Sequence, residues 1–197
     1  MKKRLFDIIF SLLGLTLSSP FLIIMALMIK LDSDGPVFYR GVRMGRYGKP
    51  FRIYKFRSMV PDAEKLGGPS SSSDDPRLTR FGAFLKRHNL DEAPQVINIL
   101  KGEMSFVGPR PEVPQEIETY KEEEKRIILS VRPGMTDLAS LANPHEGEIL
   151  KGSLDSHQVY REKIKPEKIR LGIEYVKSQS LLLDIKIIIK TLLVALR

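Results

Sequence analysis

The sequence predicts an α+β fold: a small, mostly helical cytosolic domain that carries a short β-hairpin and is fixed to a membrane by its N-terminal helix. Three observations predict it. An apolar stretch without a single charge runs from Ile8 to Ile29. Two runs of strand-forming residues, Val37–Arg40 and Phe51–Arg57, flank a turn containing Gly45 and Gly48. From Leu78 onward, apolar residues recur mainly at helical spacing, ending in an amphipathic stretch from Ser180 to Leu196.

The N-terminal stretch is a membrane segment. At 1.5 Å per residue it makes about 33 Å of helix, enough to reach across a bilayer. It is long for the apolar core of a signal peptide, and no small-x-small cleavage pattern follows it. Ser18-Ser19-Pro20 lies at its centre, where proline removes a backbone donor and serine hydroxyls can satisfy the carbonyls left free. Lys2, Lys3 and Arg4 precede it, and Lys30, Arg40, Arg43 and Arg46 follow it, so by the positive-inside tendency both ends favour the cytoplasm. The consistent solution is a re-entrant hairpin over residues 1–31, broken at Ser19 and Pro20; a proline-kinked spanning helix is the alternative.

Composition narrows the rest, residues 32–197. With 197 residues there is room for one domain with a core, plus the membrane element. A net charge of +8 favours anionic partners: nucleic acid, lipid headgroups or a phosphorylated substrate. Nucleic acid is set aside, since the basic residues are interspersed with acids and the membrane segment has no part in that account. The lack of cysteine excludes disulfides, thiol catalysis and Cys-based metal sites, and His88, His145 and His157 are too scattered for a histidine cluster.

In the second strand, alternation puts Phe51, Ile53 and Lys55 on one face and Arg52, Tyr54 and Phe56 on the other. Lys55 and Arg57 are candidate phosphate ligands, although a solvated basic edge strand fits the same pattern. The run Gly67–Pro76 is a low-complexity loop, a lid or a tolerated insertion. Leu78, Phe81, Phe84 and Leu85 form the apolar face of a helix that leads to the basic pair Lys86-Arg87. A second helix runs from Ala93 to Leu100, with Val96, Ile97 and Leu100 apolar, and ends at Lys101-Gly102. Pro114–Ser130 and Glu162–Lys177 read as charged, solvated helices without a site.

Between those helices, His88–Gln95 places two adjacent carboxylates, Asp91 and Glu92, at a helix start directly after basic residues. Unpaired amides and the positive end of the helix dipole favour the anions there, which suits phosphate or metal chemistry. Asn89-x-x-Glu92 has capping-box spacing as well, and on spacing alone both readings stand. Further on, Pro109 and Pro111 hold Arg110 in a stiff segment after an apolar strand, lowering the cost of presenting a guanidinium to an anion.

Leu90-Asp91-Glu92-Ala93-Pro94-Gln95, Asn98-x-Leu100-Lys101-Gly102-Glu103-Met104-Ser105 and Val107-Gly108-Pro109-Arg110-Pro111 together closely resemble the bacterial sugar transferases known as monotopic phosphoglycosyl transferases. The resemblance extends to Ile53–Met59, Asp75–Gly82, Arg132-Pro133-Gly134 and Leu183–Lys186, and so covers nearly the whole chain. In that family Ser-Pro interrupts a re-entrant membrane helix, which matches Ser19-Pro20.

The resemblance implies transfer of a sugar-1-phosphate from a UDP-sugar to polyprenyl (undecaprenyl) phosphate, with release of UMP. This is a first membrane step of glycan assembly, at the cytoplasmic face of a bacterial inner membrane. Asp91 would be the nucleophile and, with the diphosphate, a ligand of Mg²⁺; Glu92 would assist. Lys55, Lys86, Arg87 and Arg110 would cradle phosphate and nucleotide. The partners implied are the UDP-sugar, the polyprenyl phosphate and membrane lipids, with a homodimer left open. A glycosyltransferase that releases UDP and a non-enzymatic adaptor for anionic lipid are the competing readings. Two departures stand out: Lys86 occupies a position usually held by arginine, and Met135–Ser140 replaces a common Ile-Thr-Gly-Leu-Ala-Gln, making Asp137 a candidate specificity residue.

Overall fold

The computed structural model describes residues 2–66, 72, 74–143, 149–152 and 155–195. Most of the serine-rich loop and His145 lie outside the described residues. Helix α1 spans Lys2–Asp32 and is helical through Pro20. Proline deprives the Thr16 carbonyl of its backbone donor, and the Ser19 hydroxyl donates to that oxygen at 2.9 Å, while Ser18 Oγ donates to the Gly14 carbonyl at 2.6 Å. The Ser19 hydroxyl thus replaces the donor that Pro20 lacks.

Both ends of α1 are tied to the same domain. At the start, Arg4 donates to the carbonyls of Ile99 and Leu100 at 2.5 and 2.7 Å, Lys3 reaches Asp184 at 2.5 Å, and buried Asp7 accepts from Ser105 Oγ and the Phe106 amide. Burial pushes the Asp7 carboxyl above its usual pKa, against the hydrogen bond from Phe106 and the charge of Lys3. At the far end, Met25 and Ile29 pack with Phe56 and Leu85. The middle carries outward apolar side chains, Leu17 being 80% exposed.

The hairpin is longer than two strands. β1 (Phe38–Tyr39) pairs antiparallel with β4 (Lys55–Phe56), and β2 (Val42–Met44) with β3 (Pro50–Arg52), in one continuous register that the Ile53 amide to Gly41 carbonyl bond carries across the gap. Alternation along its second arm serves two cores: Phe51 and Ile53 meet Ile99 and Met104, whereas Phe56 turns to α1.

After the short α2 (Ala63–Leu66), α3 (Arg80–Arg87) begins at Thr79, whose side chain caps Gly82 N–H at 2.9 Å. Leu85 is wholly buried, but Phe84 is exposed and stacks on Phe81, so the expected apolar face is one residue narrower than the spacing predicted. A 3₁₀ turn, Leu90–Gln95, leads into α4 (Val96–Lys101), which ends at Gly102 with a left-handed φ of 84°. The buried face of α4 is Asn98 and Ile99, whereas Val96, Ile97 and Leu100 are half-buried. Asn98 locks the hairpin to the helix: its Oδ1 accepts from the Tyr54 amide at 2.8 Å, and its Nδ2 donates to the Arg52 carbonyl and to Glu103.

β5 (Ser105–Val107) pairs in parallel with β6 (Gly134–Thr136). The backbones touch where Gly134 faces Gly108; a Cβ on Gly134 would lie 2.1 Å from the Gly108 nitrogen, so glycine is required there. The expected single helix Pro114–Ser130 is two, α5 (Pro114–Glu118) and α6 (Glu122–Ile128). The break lets Glu116 turn inward to buried Lys165 at 2.5 Å and to Arg161 at 2.6 Å, so this stretch is not merely solvated.

α7 (Leu138–Ala142), α8 (Ser156–Val159), a π turn (Tyr160–Ile164), α9 (Lys165–Ser178) and α10 (Leu181–Ala195) complete the chain. Ile187 and Asp184 of α10 are buried, while Leu182, Ile189, Leu192 and Leu193 form an outward apolar stripe. Helix α10 therefore packs on the core and presents an apolar face at once. The observed architecture is mostly helical with small sheets and one long apolar N-terminal helix.

Candidate active site

The cationic and anionic residues converge where four elements meet. β4 supplies Lys55, the last turn of α3 supplies Lys86, the 3₁₀ turn supplies Asp91 and Glu92, and the segment after β5 supplies Arg110. The 3₁₀ turn packs against β4, α3 and α4, and this fixes the carboxylates beside the hairpin. Asn89 adopts a left-handed φ of 53° and makes no side-chain cap, so the capping-box reading fails. Its partner Glu92 is engaged elsewhere.

Glu92 Oε1 accepts from Lys55 Nζ at 2.8 Å and from Arg110 Nη2. Burial alone would raise its pKa, but the charges and hydrogen bonds of Arg110 and Lys55 outweigh that and hold the carboxyl well below the usual range. Asp91 is treated differently. It is 8% exposed, Lys55 Nζ lies 3.9 Å from its Oδ2, and burial lifts its pKa above the ordinary aspartate value, with Lys55 opposing and the Glu92 charge adding to the rise. Neighbouring carboxylates thus have separate chemistries: Glu92 is a closely paired anion, and Asp91 is a buried carboxylate of raised pKa without a cation at hydrogen-bond distance.

Arg110 is aimed by three contacts. Its Nη1 donates to the Met135 carbonyl at 2.8 Å, its Nη2 to Glu92, and its amide to Asp137 Oδ2 at 3.3 Å. Asp137 is buried and also caps α7 through Ser140 N–H at 2.7 Å, so the surface-loop alternative for this residue is ruled out. Pro109 is buried and its carbonyl accepts from the Gly134 amide at 3.0 Å; Pro111 is half-buried. Lys86 is half-buried, its pKa lowered by burial against the opposing pull of Asp91 and Asp75. Asp75 in turn binds Arg77 through both carboxylate oxygens, at 2.9 and 2.7 Å.

Two predicted ligands do not join the cluster. Arg57 is 7% exposed and its guanidinium is spent on the carbonyls of Ser33, Asp34 and Ile29, where it caps the C-terminal end of α1. A buried arginine so engaged has no fork left for phosphate. Arg87 points outward and is exposed. Spacing gave no sign of Gln95, Asn98 or the Asp75–Arg77 pair; a polar residue inside an otherwise apolar helix, as Asn98 is, was the available signal.

Among the described residues no group of three or more acidic, histidine or cysteine side chains is arranged to hold a metal. Of the two carboxylates in the site, Asp91 is the one that has no cation at hydrogen-bond distance among the described residues. That fits Mg²⁺, which keeps waters and is commonly held by one or two carboxylates together with substrate phosphates.

The geometry brings a carboxylate pair together with Lys55, Lys86 and Arg110 in a chain whose N-terminal helix is long and apolar enough to cross a membrane. The family model for bacterial sugar transferases matches residues 1–197, and the chain belongs to that family. It is 39% identical over 192 residues to the UDP-glucose:undecaprenyl-phosphate glucose-1-phosphate transferase of Escherichia coli, covering 96% of this chain and 39% of the relative. To the exopolysaccharide production protein PSS of Rhizobium leguminosarum it is 38% identical, covering 96% of this chain and 92% of the relative. A 121-residue match at 47% identity, covering 61% of this chain and 68% of the relative, links it to a putative undecaprenyl-phosphate N-acetylgalactosaminyl 1-phosphate transferase of Bacillus subtilis. The chain thus spans well under half the length of the Escherichia coli relative and nearly all of the Rhizobium one.

Proposed function

We propose that this chain transfers a sugar-1-phosphate from a UDP-sugar to a polyprenyl phosphate, releasing UMP, through a covalent phosphosugar ester on Asp91. The observation that carries the reading is the contrast within the acidic pair. Glu92 absorbs the close ion pairs, which leaves the Asp91 carboxylate with a raised pKa, near Lys55 and Lys86 without a close ion pair to Lys55.

Asp91 attacks the β-phosphorus of the donor, the bond from that phosphorus to the bridging oxygen breaks, and UMP departs with the electron pair. An oxygen of the lipid phosphate then attacks the same phosphorus, the phosphorus–Asp91 bond breaks, and the carboxylate is regenerated. Lys55, Lys86 and Arg110 offset the charge that builds on the phosphoryl oxygens. Glu92 fixes Lys55 and Arg110 in place for that work. Mg²⁺, held by Asp91 with the diphosphate, would supply Lewis-acid neutralisation at the transferred phosphorus.

Both ends of α1 on one domain, with an apolar middle, support a re-entrant helix that keeps the site at the cytoplasmic face. A straight span would carry one end to the far side of the bilayer. Because its acceptor is confined to the membrane, a site held at that surface searches in two dimensions, which raises the effective acceptor concentration.

Nucleotide release from a panel of UDP-sugars tests the chemistry, with Mg²⁺, polyprenyl phosphate and detergent-solubilised protein. UMP that requires both the lipid phosphate and Asp91 is expected; UDP as the product would replace this reading with glycosyl transfer. The lack of native cysteine makes topology testable by single cysteines at Lys2 and Leu31, both of which should resist an impermeant maleimide applied from outside the cell.

A further inference from the structure

The carboxamide of Gln95 is fully excluded from solvent, and among the described residues neither its nitrogen nor its oxygen has a hydrogen-bond partner. Native interiors rarely leave an amide unpaired on both sides, because desolvation is not recovered. The position is also significant. Gln95 closes the 3₁₀ turn that carries the acidic pair, one turn beyond Asp91 and Glu92. Helical side chains lean toward the preceding turn, which is the direction in which the acidic pair lies.

A complementary deficiency lies there. Among the described residues no donor hydrogen-bonds to the Asp91 carboxylate, whose contact with Lys55 at 3.9 Å is an ion pair beyond hydrogen-bond length. Glu92 lacks nothing, since Lys55 and Arg110 already serve it. One turn therefore holds a buried donor without an acceptor and a buried acceptor without a donor.

We infer that Gln95 is a positioning residue for Asp91: during turnover its Nε2–H donates to the carboxylate oxygen that does not attack, fixing the rotamer that aims the other oxygen at phosphorus. A neutral amide suits this task better than a cation. An ammonium or guanidinium in tight contact stabilises the carboxylate and lowers its basicity, as at Glu92, whereas a carboxamide orients it and leaves it nucleophilic.

This inference rests on the phosphosugar-transfer reading above, and the experiment separates the two. Wild type, Asp91→Asn, Gln95→Met and Gln95→Asn are compared for melting temperature and for kcat and KM of UMP release. Gln95→Met keeps the side-chain length without the amide. It should melt at or above wild type and keep the KM for the UDP-sugar, while kcat falls by about 100-fold, the scale of a misaimed reacting group. Gln95→Asn keeps an amide but withdraws it by one methylene, and should lower kcat while leaving the KM for the UDP-sugar unchanged.

A Gln95→Met enzyme with wild-type kcat would overturn the positioning role, as would one whose melting temperature drops while kcat per folded molecule is unchanged. If Gln95→Met does not fold, Gln95→Asn decides, and a wild-type kcat in that variant rejects the role. Wild-type protein that forms no UMP removes the transfer reading and this inference with it; active wild type with indifferent Gln95 variants removes this inference alone.

Discussion

Replacing Lys55 by methionine probes the electrostatics of the site most sharply. The ammonium lies 3.9 Å from Asp91 Oδ2 and 2.8 Å from Glu92 Oε1. At an effective dielectric constant of about 20, a unit charge at that first distance is worth about 4 kcal/mol to the Asp91 anion. Lys55 is 22% exposed, and Lys86 and Arg110 remain after its removal, so solvent screening and those charges reduce the net effect to about 1–3 kcal/mol. The sign follows from which form the cation favours. Without it the anion is less stable, the pKa of Asp91 rises beyond its already raised value, and less nucleophile is present at any pH near that pKa. A pH–rate profile of UMP release, wild type against Lys55→Met, reads this directly. The acid limb should move toward neutral pH, and the variant should recover relative activity as pH rises. Direct phosphate contacts of Lys55 would add a pH-independent loss without cancelling the movement. An acid limb that stays in place, or moves to lower pH, would refute the reasoning.

Other perturbations follow from the same contacts. Glu92→Gln removes a charge that raises the pKa of Asp91 and frees Lys55 and Arg110 to approach it, so the acid limb should move to lower pH while kcat falls. Asn98→Ala removes two side-chain hydrogen bonds that join helix and hairpin and a third to Glu103, and should cost about 2–4 kcal/mol in chemical denaturation. Asp184→Leu leaves Lys3 without its carboxylate and frees the Tyr175 hydroxyl, which donates to Asp184 at 2.6 Å; amide exchange should rise in α10 and at the start of α1 while the 3₁₀ turn stays protected.

The parts of the structure visible in the sequence are those that obey local rules. The apolar run of α1, the serine compensation for Pro20, the hairpin with Lys55 on its inner face and the Gly102 helix stop all follow from periodicity, turn chemistry and missing donors. Asp91, Glu92, Lys55 and Arg110 come together as their pattern suggested. What escaped notice depends on long-range pairing. Arg57 belongs by spacing to the basic strand, yet the carbonyls at the end of α1, more than twenty residues earlier in the chain, capture it. The partners of Glu116 lie more than forty residues away on the α9 side of the fold, so its burial has no local signature. The capping-box spacing at Asn89 and Glu92 is real, but the ion pairs available to Glu92 outcompete a backbone amide. Gln95 is silent for a further reason, since a polar residue next to an acidic motif looks solvated until the fold encloses it.

The central claim is that Asp91 becomes covalently phosphorylated by the donor. Intact-mass measurement of the protein after brief reaction with a UDP-sugar, Mg²⁺ and no lipid acceptor tests it most directly. A mass increase equal to one sugar phosphate is predicted, localised to the peptide containing Asp91, absent in Asp91→Asn, and discharged on addition of polyprenyl phosphate. Unmodified protein that nevertheless forms lipid-linked sugar and UMP at full rate would contradict the covalent route and leave a single direct displacement in its place.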